Sequence, residues 1–171
     1  MVQHAFGAGA DLQTLDQQAA QIPAGSQGLL TLPYFLGEKT PLHDPFARGT
    51  VLVLTLSHTP AHLYRSLLER VAYAFRHHLE VLEQHGHRVQ RIYVVDGGAK
   101  SALWRSILAS VLGQDMVYLS TSDRGSAYGV AFLAGSAAGH WPLESIGTYL
   151  SEVERTPPTP SNTELYTRMY Q

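Results

Sequence analysis

Cysteine is absent from the 171 residues. Disulfides, thiolate metal sites and cysteine nucleophiles are therefore excluded. Charge is scarce as well. Charged residues make up 15% of the chain and the formal net charge is −2, against roughly a quarter charged in an average soluble domain. A balance of 12 basic to 14 acidic residues leaves no basic face for DNA or RNA, so no nucleic-acid partner is expected. Long apolar runs are missing too. The most apolar stretch, Ala127 to Ala138, is far short of the roughly 20 residues a membrane span needs, so no membrane role is expected. Met1 to Ala10 carries neither Lys nor Arg and no useful apolar run. That is not the pattern of a signal peptide, and the expected compartment is the cytoplasm.

Hydrophobic residues are present at 44%, enough for one domain-sized core. A chain this poor in surface charge is expected to hide part of its surface against something else. Asp11 to Gln21 reads as a short helix capped by Asp11, with Leu12, Leu15 and Ala19 at helical spacing. Gly25 to Gly28 is a turn. Leu29 to Phe35 reads as a strand that Pro33 marks as an edge or an ending. Thr50 to Leu56 is nearly all apolar or β-branched and is expected to be a buried strand. A long helix follows, with Thr59 as cap, Pro60 at its first position and Gly86 at its close. Leu63, Leu67, Val71, Ala74 and Leu82 would hold its inner face, widened by Leu68, Ala72, Phe75 and Leu79. Arg91 to Val95 reads as a strand, Asp96 to Lys100 as a turn, Ser101 to Leu112 as a helix stopped by Gly113, and Met116 to Leu119 as another strand. Ser126 to Ala138 is a helix of small residues, expected to pack closely against a sheet or another helix. Beyond the stiff Pro157 to Pro160 connector, Asn162 to Tyr170 reads as a docking helix. Alternating helices and strands imply an α/β protein with at least partly parallel pairing.

The informative turn is Asp96-Gly97-Gly98-Ala99-Lys100-Ser101, between a strand and an amphipathic helix. A helix start presents free N–H groups and the positive end of the dipole to an anion such as phosphate. Two glycines allow a ligand to approach the backbone. The spacing matches neither a Walker loop nor the dinucleotide pattern, so a dinucleotide-dependent oxidoreductase is disfavoured. An ordinary strand-to-helix turn capped by Ser101 accounts for the local residues equally well. Gly7 to Asp11 is a second glycine-rich approach to a helix start, for which a flexible terminus is the simpler account. Among the nine histidines, His58 and His62 lack the Glu of a zincin motif. His77, His78, His85 and His87 read as a solvated helix face, so no metal site is assigned. No nucleophile elbow or carboxylate pair supplies a catalytic group.

Several ordered motifs together resemble the C-terminal part of the FGGY family of carbohydrate kinases, from about Gly9 to about Tyr170. Leu32-Pro33-Tyr34 through Gly37-Glu38-Lys39-Thr40-Pro41 is similar to the family's Leu-Pro-Tyr and Gly-Glu-Arg-Thr-Pro stretch. Asp44-Pro45-Phe46-Ala47-Arg48-Gly49 matches its Asp-Pro-x-Ala-Arg-Gly. His62 to Glu69 fits the second half of a family signature, although Val53 stands where that signature has Gly and Leu67 is bulkier than usual. Asp96 to Ser101 with Leu103-Trp104-Arg105 resembles the nucleotide-binding turn, and Ala8 to Gln13 a segment whose Gly lies near the nucleotide.

The resemblance implies an α/β, ribonuclease H-like (actin-like ATPase) domain truncated at its first strands, with residues 1–171 forming a partial C-terminal domain. It implies ATP or ADP at Gly9, Gly97, Gly98, Ala99, Lys100, Ser101 and Ala102, and Mg²⁺ carried by the nucleotide. It implies a sugar or polyol as phosphoryl acceptor in the complete enzyme. The family's catalytic Asp and most sugar contacts belong to an N-terminal half that this sequence does not contain. The chain alone is therefore expected to be inactive and to need that half, or self-association, to cover its open sheet. The alternative is a non-catalytic nucleotide-binding or interaction module of the same fold.

Overall fold

The computed structural model describes residues 11–40 and 42–171. Helix α1 spans Leu12–Ala20, and Asp11 caps it by accepting from the Thr14 amide at 2.8 Å. Leu15 and Ala19 point inward while Leu12 is exposed. Strands β1 (Leu30–Leu32) and β2 (Thr50–Leu52) form a two-stranded antiparallel ribbon, with Leu30 opposite Leu52. Strand β1 ends just before Pro33, which has no N–H to continue a ladder.

The second ribbon strand corrects the expectation of a buried strand over residues 50–56. Pairing stops at Leu52, and Leu52, Val53, Leu54 and Leu56 are all exposed. Its only partner among the described residues is β1, so apolar side chains chosen for burial have nothing laid over them.

Helix α2 (Pro60–Gln84) starts at Thr59, whose N–H donates to His62 Nδ1 at 3.2 Å. The expected inner face is only part of the buried surface. Ala61, His62, Tyr64, Arg65, Ser66, Leu67, Glu69, Ala72 and Tyr73 are buried, whereas Phe75 and Leu82 are exposed. The first half of the helix is enclosed on several sides by α1, β1 and the 26–28 turn, so polar residues are buried with hydrogen-bond partners. Its last residues, Leu82 to Gln84, are exposed.

Strand β3 (Ile92–Val94) leads through a single helical turn, α3 (Asp96–Ala99), into helix α4 (Ala102–Leu112) and strand β4 (Met116–Leu119), which lies parallel to β3. Gly113 ends α4 at φ +65, a conformation that favours glycine. Helix α5 (Gly125–Ala137), strand β5 (Glu152–Thr156) and helix α6 (Pro160–Tyr170) complete the order. Strand β5 runs antiparallel to β4 on the side away from β3. The sequence reading missed it because Glu152, Glu154 and Arg155 make it polar and it occupies an edge.

The close packing expected of the small-residue helix is also corrected. On α5 only Phe132 is buried, and Val130 and Leu133 are exposed. Its neighbours are the short turns at 122–124 and 143–149, with Trp141 and Tyr149 rings against Phe132. A helix apolar on every side belongs inside a protein, and nothing among the described residues encloses this one.

The main core joins α2, α4, β4 and α6 through Tyr73, Ile107, Leu108, Val111, Met116 and Tyr166. Burial of side chains this size stabilises by about 1.5–3 kcal/mol each. A smaller cluster of Leu15, Ala19 and Tyr64 meets it through Leu68 and Leu103. The expected docking of the last helix is through Tyr166, which is fully buried. Its hydroxyl donates to Glu69 at 2.8 Å.

Candidate nucleotide cleft

The glycine turn is held from below. Ala99 is buried in the main core, and its carbonyl accepts from the guanidinium of Arg105. Arg105 is itself buried, with Nη2 at 2.7 Å from both oxygens of Glu154 and Nε donating to Thr156 Oγ1 at 3.4 Å. Its guanidinium also lies 5.4 Å from the centre of the Tyr118 ring. The polar strand β5 therefore anchors the base of the turn, and Arg105 and Glu154 are positioning residues that the sequence reading did not find. The signal available was an Arg at the fourth position of α4 with no i±4 acid to pair with.

Above that anchor, Asp96 takes φ +62, a left-handed conformation that Asp tolerates better than most residues. Its carboxylate lies against Gly125, where a Cβ would collide with it. Gly97 faces open space, with no atom within 4 Å of where its Cβ would be. Ser101 caps α4 by accepting from the Trp104 amide at 3.0 Å. The Trp104 indole lies against the turn, its Cδ1 and Nε1 3.3 Å from the Cβ position of Gly98. Lys100 is exposed and reaches Asp123 only at 3.9 Å, an exposed pair worth little.

Across from the turn stands α1. Leu12, Gln13 and Asp16 of α1, with Tyr64 and Leu68 of α2, complete a cleft of about 520 Å³. That is within the roughly 300–1,000 Å³ of small-molecule and cofactor sites. Tyr64 donates to Asp16 Oδ1 at 2.9 Å, tying the two helices together at the cleft wall. Burial, and then the Asp16 carboxylate, push the Tyr64 phenol well above its ordinary range. The cleft thus offers an indole and aliphatic wall, a carboxamide, the Asp16 carboxylate with its Tyr64 hydroxyl, and an exposed ammonium around a bare backbone turn. Those groups suit a flat heteroaromatic group joined to an anion.

Of the residues assigned from sequence, Gly97, Gly98, Lys100 and Ser101 come together in this cleft. Ala99 is buried beneath it and contributes only its backbone anchor. Ala102 is exposed at the start of α4, outside the cleft lining. Gly9 lies outside the described residues, although Leu12 and Gln13 place the end of its segment at the cleft. The histidines of α2 lie elsewhere. His78 bridges Ala74 O and Thr40 Oγ1, and His85 bonds Val81 O.

Residues 2–138 match the model of the FGGY family of carbohydrate kinases, C-terminal domain. The chain belongs to the FGGY family. The xylulose kinase of Escherichia coli strain K12 is 34% identical over 163 residues, covering 90% of this chain and 33% of that protein. Glycerol kinase 2 of Saccharolobus solfataricus is 36% identical over 138 residues, covering 80% of this chain and 27% of its own length. The crystal structure of xylulose kinase from Rhodospirillum rubrum superposes with a TM-score of 0.78 at 44% identity, covering 92% of this chain and 32% of that one. The fold is accordingly the α/β, ribonuclease H-like (actin-like ATPase) fold of these kinases. The chain spans about a third of the length of the relatives it matches. Strand β5 and helix α6 lie beyond the family match, yet β5 holds Arg105 under the glycine turn. No helix among the described residues is long and apolar enough to cross a membrane.

Proposed function

We propose that this chain is the nucleotide-gripping C-terminal portion of an ATP-dependent sugar or polyol kinase, with a xylulose-type ketose as the favoured acceptor. The observation that carries the reading is the cleft joining the Gly97-Gly98 turn to the N-terminal end of α1. Its two walls come from the two segments whose motifs resemble the family's nucleotide-binding pieces. The adenine ring would lie along Trp104 and Leu68, with Gln13 beside its polar edge. The bare backbone at Gly97 and Gly98 would admit the ribose and phosphates, and Lys100 would swing from Asp123 toward the phosphate charge.

Among the described residues no three His, Asp or Glu side chains gather as a metal cage. Mg²⁺ fits this site as a companion of the nucleotide phosphates, where it would neutralise their charge. In such a transfer, positioning and charge stabilisation dominate. This chain's share is to hold the nucleotide, exclude water along the indole wall and present the phosphates outward. The group that receives the acceptor's proton, and the acceptor contacts, would come from the N-terminal half. The exposed Leu52 to Leu56 segment and the uncovered α5 support the need for such a partner, or for self-association, in the cytoplasm.

The test is calorimetric titration of the chain with MgATP beside a Gly97→Val variant, with a coupled assay on D-xylulose. A Cβ at Gly97 has no packing neighbour within 4 Å, so the valine is directed at the space a ligand would take. Binding that weakens at least tenfold in the variant, with no sugar-dependent turnover by the chain, is expected. Equal binding by both proteins would refute the placement, and robust turnover would refute the division of labour.

A further inference from the structure

Both walls of the nucleotide cleft are tied to one stretch of chain, β5 and α6, which follow each other across the short 157–159 connector. Strand β5 serves the glycine turn. Glu154 holds Arg105 Nη2 between its two oxygens, each at 2.7 Å, and Thr156 Oγ1 accepts from Nε at 3.4 Å. Nη1 is thereby directed at the Ala99 carbonyl. A guanidinium is planar and its donors keep fixed angles, so partners on one side set where the other side points.

Helix α6 serves the opposite wall. The fully buried Tyr166 hydroxyl accepts from Arg65 Nη2 at 3.3 Å and donates to Glu69 at 2.8 Å. Arg65 Nη1 in turn donates to the Ala19 carbonyl at the end of α1, at 3.1 Å. Leu12, Gln13 and Asp16 of that same helix line the cleft. The two anchors share one form: a buried arginine, oriented by the C-terminal segment, holds a backbone carbonyl of one wall. The joint between them is pinned too, because the Thr159 amide donates to Ser110 Oγ of α4 at 3.2 Å.

We infer that residues 152–170 are a strap that sets the spacing of the cleft walls, with Glu154 and Tyr166 as positioning residues for the nucleotide. The inference rests on the nucleotide reading of the cleft. Neither residue lines that cleft, so each acts through an arginine on a carbonyl. Without Glu154, the Arg105 side chain keeps hydrogen bonds only to Thr156 and Ala99 among the described residues, and the height of the turn is no longer fixed from β5. A turn displaced enough to lose one backbone hydrogen bond to the ligand weakens binding about fivefold.

Calorimetric titration with MgADP, at a temperature where every protein is folded, tests the strap on Glu154→Gln, Tyr166→Phe and Arg155→Gln. The Glu154 side chain is half exposed, so its amide should be tolerated, and Tyr166→Phe keeps the ring that fills the core. Arg155 lies on the same strand but pairs with Glu152 and Asp115, and it serves as the control for a merely structural role of β5. Binding weakened about fivefold or more in each anchor variant, and unchanged in Arg155→Gln, is expected. The Lys100 amide, which shares a peptide group with the Ala99 carbonyl, should also shift in the nucleotide-free NMR spectrum of Glu154→Gln. Parent-like binding by either anchor variant, equal weakening by Arg155→Gln, or an unmoved Lys100 amide would overturn the strap and leave the cleft in place. A folded parent chain that does not bind MgADP would overturn both readings.

Discussion

Replacing Glu69 by leucine strips the acceptor from the most connected buried group in the chain. Its carboxylate accepts from the Gly25 amide at 2.9 Å, the Ser26 hydroxyl at 2.8 Å, Arg65 Nε at 2.9 Å and the Tyr166 hydroxyl at 2.8 Å. Arg65 in turn donates to Ala19 O at 3.1 Å. The network joins the end of α1, the 25–28 turn, α2 and α6. Both charged residues are buried, so the single substitution leaves the Arg65 charge without its counter-ion. Breaking a buried pair in this way costs about 3–5 kcal/mol, while replacing both partners by apolar groups is often close to neutral. For a chain of this size that loss lowers the melting temperature by roughly 6–20 °C. Urea unfolding followed by far-ultraviolet circular dichroism measures it. Glu69→Leu should lose about 3 kcal/mol or more, and Arg65→Met with Glu69→Leu should recover the part due to the stranded charge, while the Gly25, Ser26 and Tyr166 donors stay without their acceptor. A double variant as unstable as the single one would refute the reasoning, because the loss would then not arise from the stranded charge.

Helix α2 supplies a pH prediction. Burial, and then the neighbouring charge of His58, hold the His62 imidazole below its ordinary value of 6.5 in the folded chain. The unfolded chain therefore binds the proton more readily. Stability from His62 is complete above that ordinary value and is lost as pH falls through the lowered one; His62→Gln should flatten the acid limb of a plot of stability against pH. Gly125→Ala should cost about 1–3 kcal/mol, because φ is +37 and the added methyl runs into the Asp96 carboxylate, and chemical denaturation would read it. Ser101→Ala removes the cap that accepts from the Trp104 amide. It should cost about 1 kcal/mol and shift the Trp104 emission, whereas an unchanged melt and spectrum would contradict that role.

Most of the order of elements was legible because local chemistry marks their ends. Asp11, Thr59, Ser101 and Gly113 are all caps where expected, and the apolar runs of β3 and β4 lie where the sequence places strands. Burial was less legible. Val53, Leu54, Val130 and Leu133 carry the composition of buried elements, but composition reports what an element is suited to touch and not whether the partner is present. Strand β5 was hidden for the opposite reason: its charged residues serve Arg105 and the β4 edge rather than a core. At the cleft, the glycine turn was readable from its spacing between strand and helix. The opposing wall, Tyr64 with Asp16 and Leu68, could emerge only from the packing of α1 on α2. Family motifs placed Ala99 and Ala102 at the ligand because they are contiguous with the turn. The backbone sends one side chain into the core and the other to the surface.

The central claim is that nucleotide binds between the Gly97-Gly98 turn and the start of α1. The most direct measurement is an amide NMR titration of isotopically labelled chain with MgADP, assigned through the 11–16 and 95–105 segments. The account predicts saturable shifts concentrated at Leu12, Gln13, Gly97, Gly98, Ser101 and the Trp104 indole, all fitting one dissociation constant. Shifts confined to other faces of the folded chain, with these six unmoved at saturation, would contradict it.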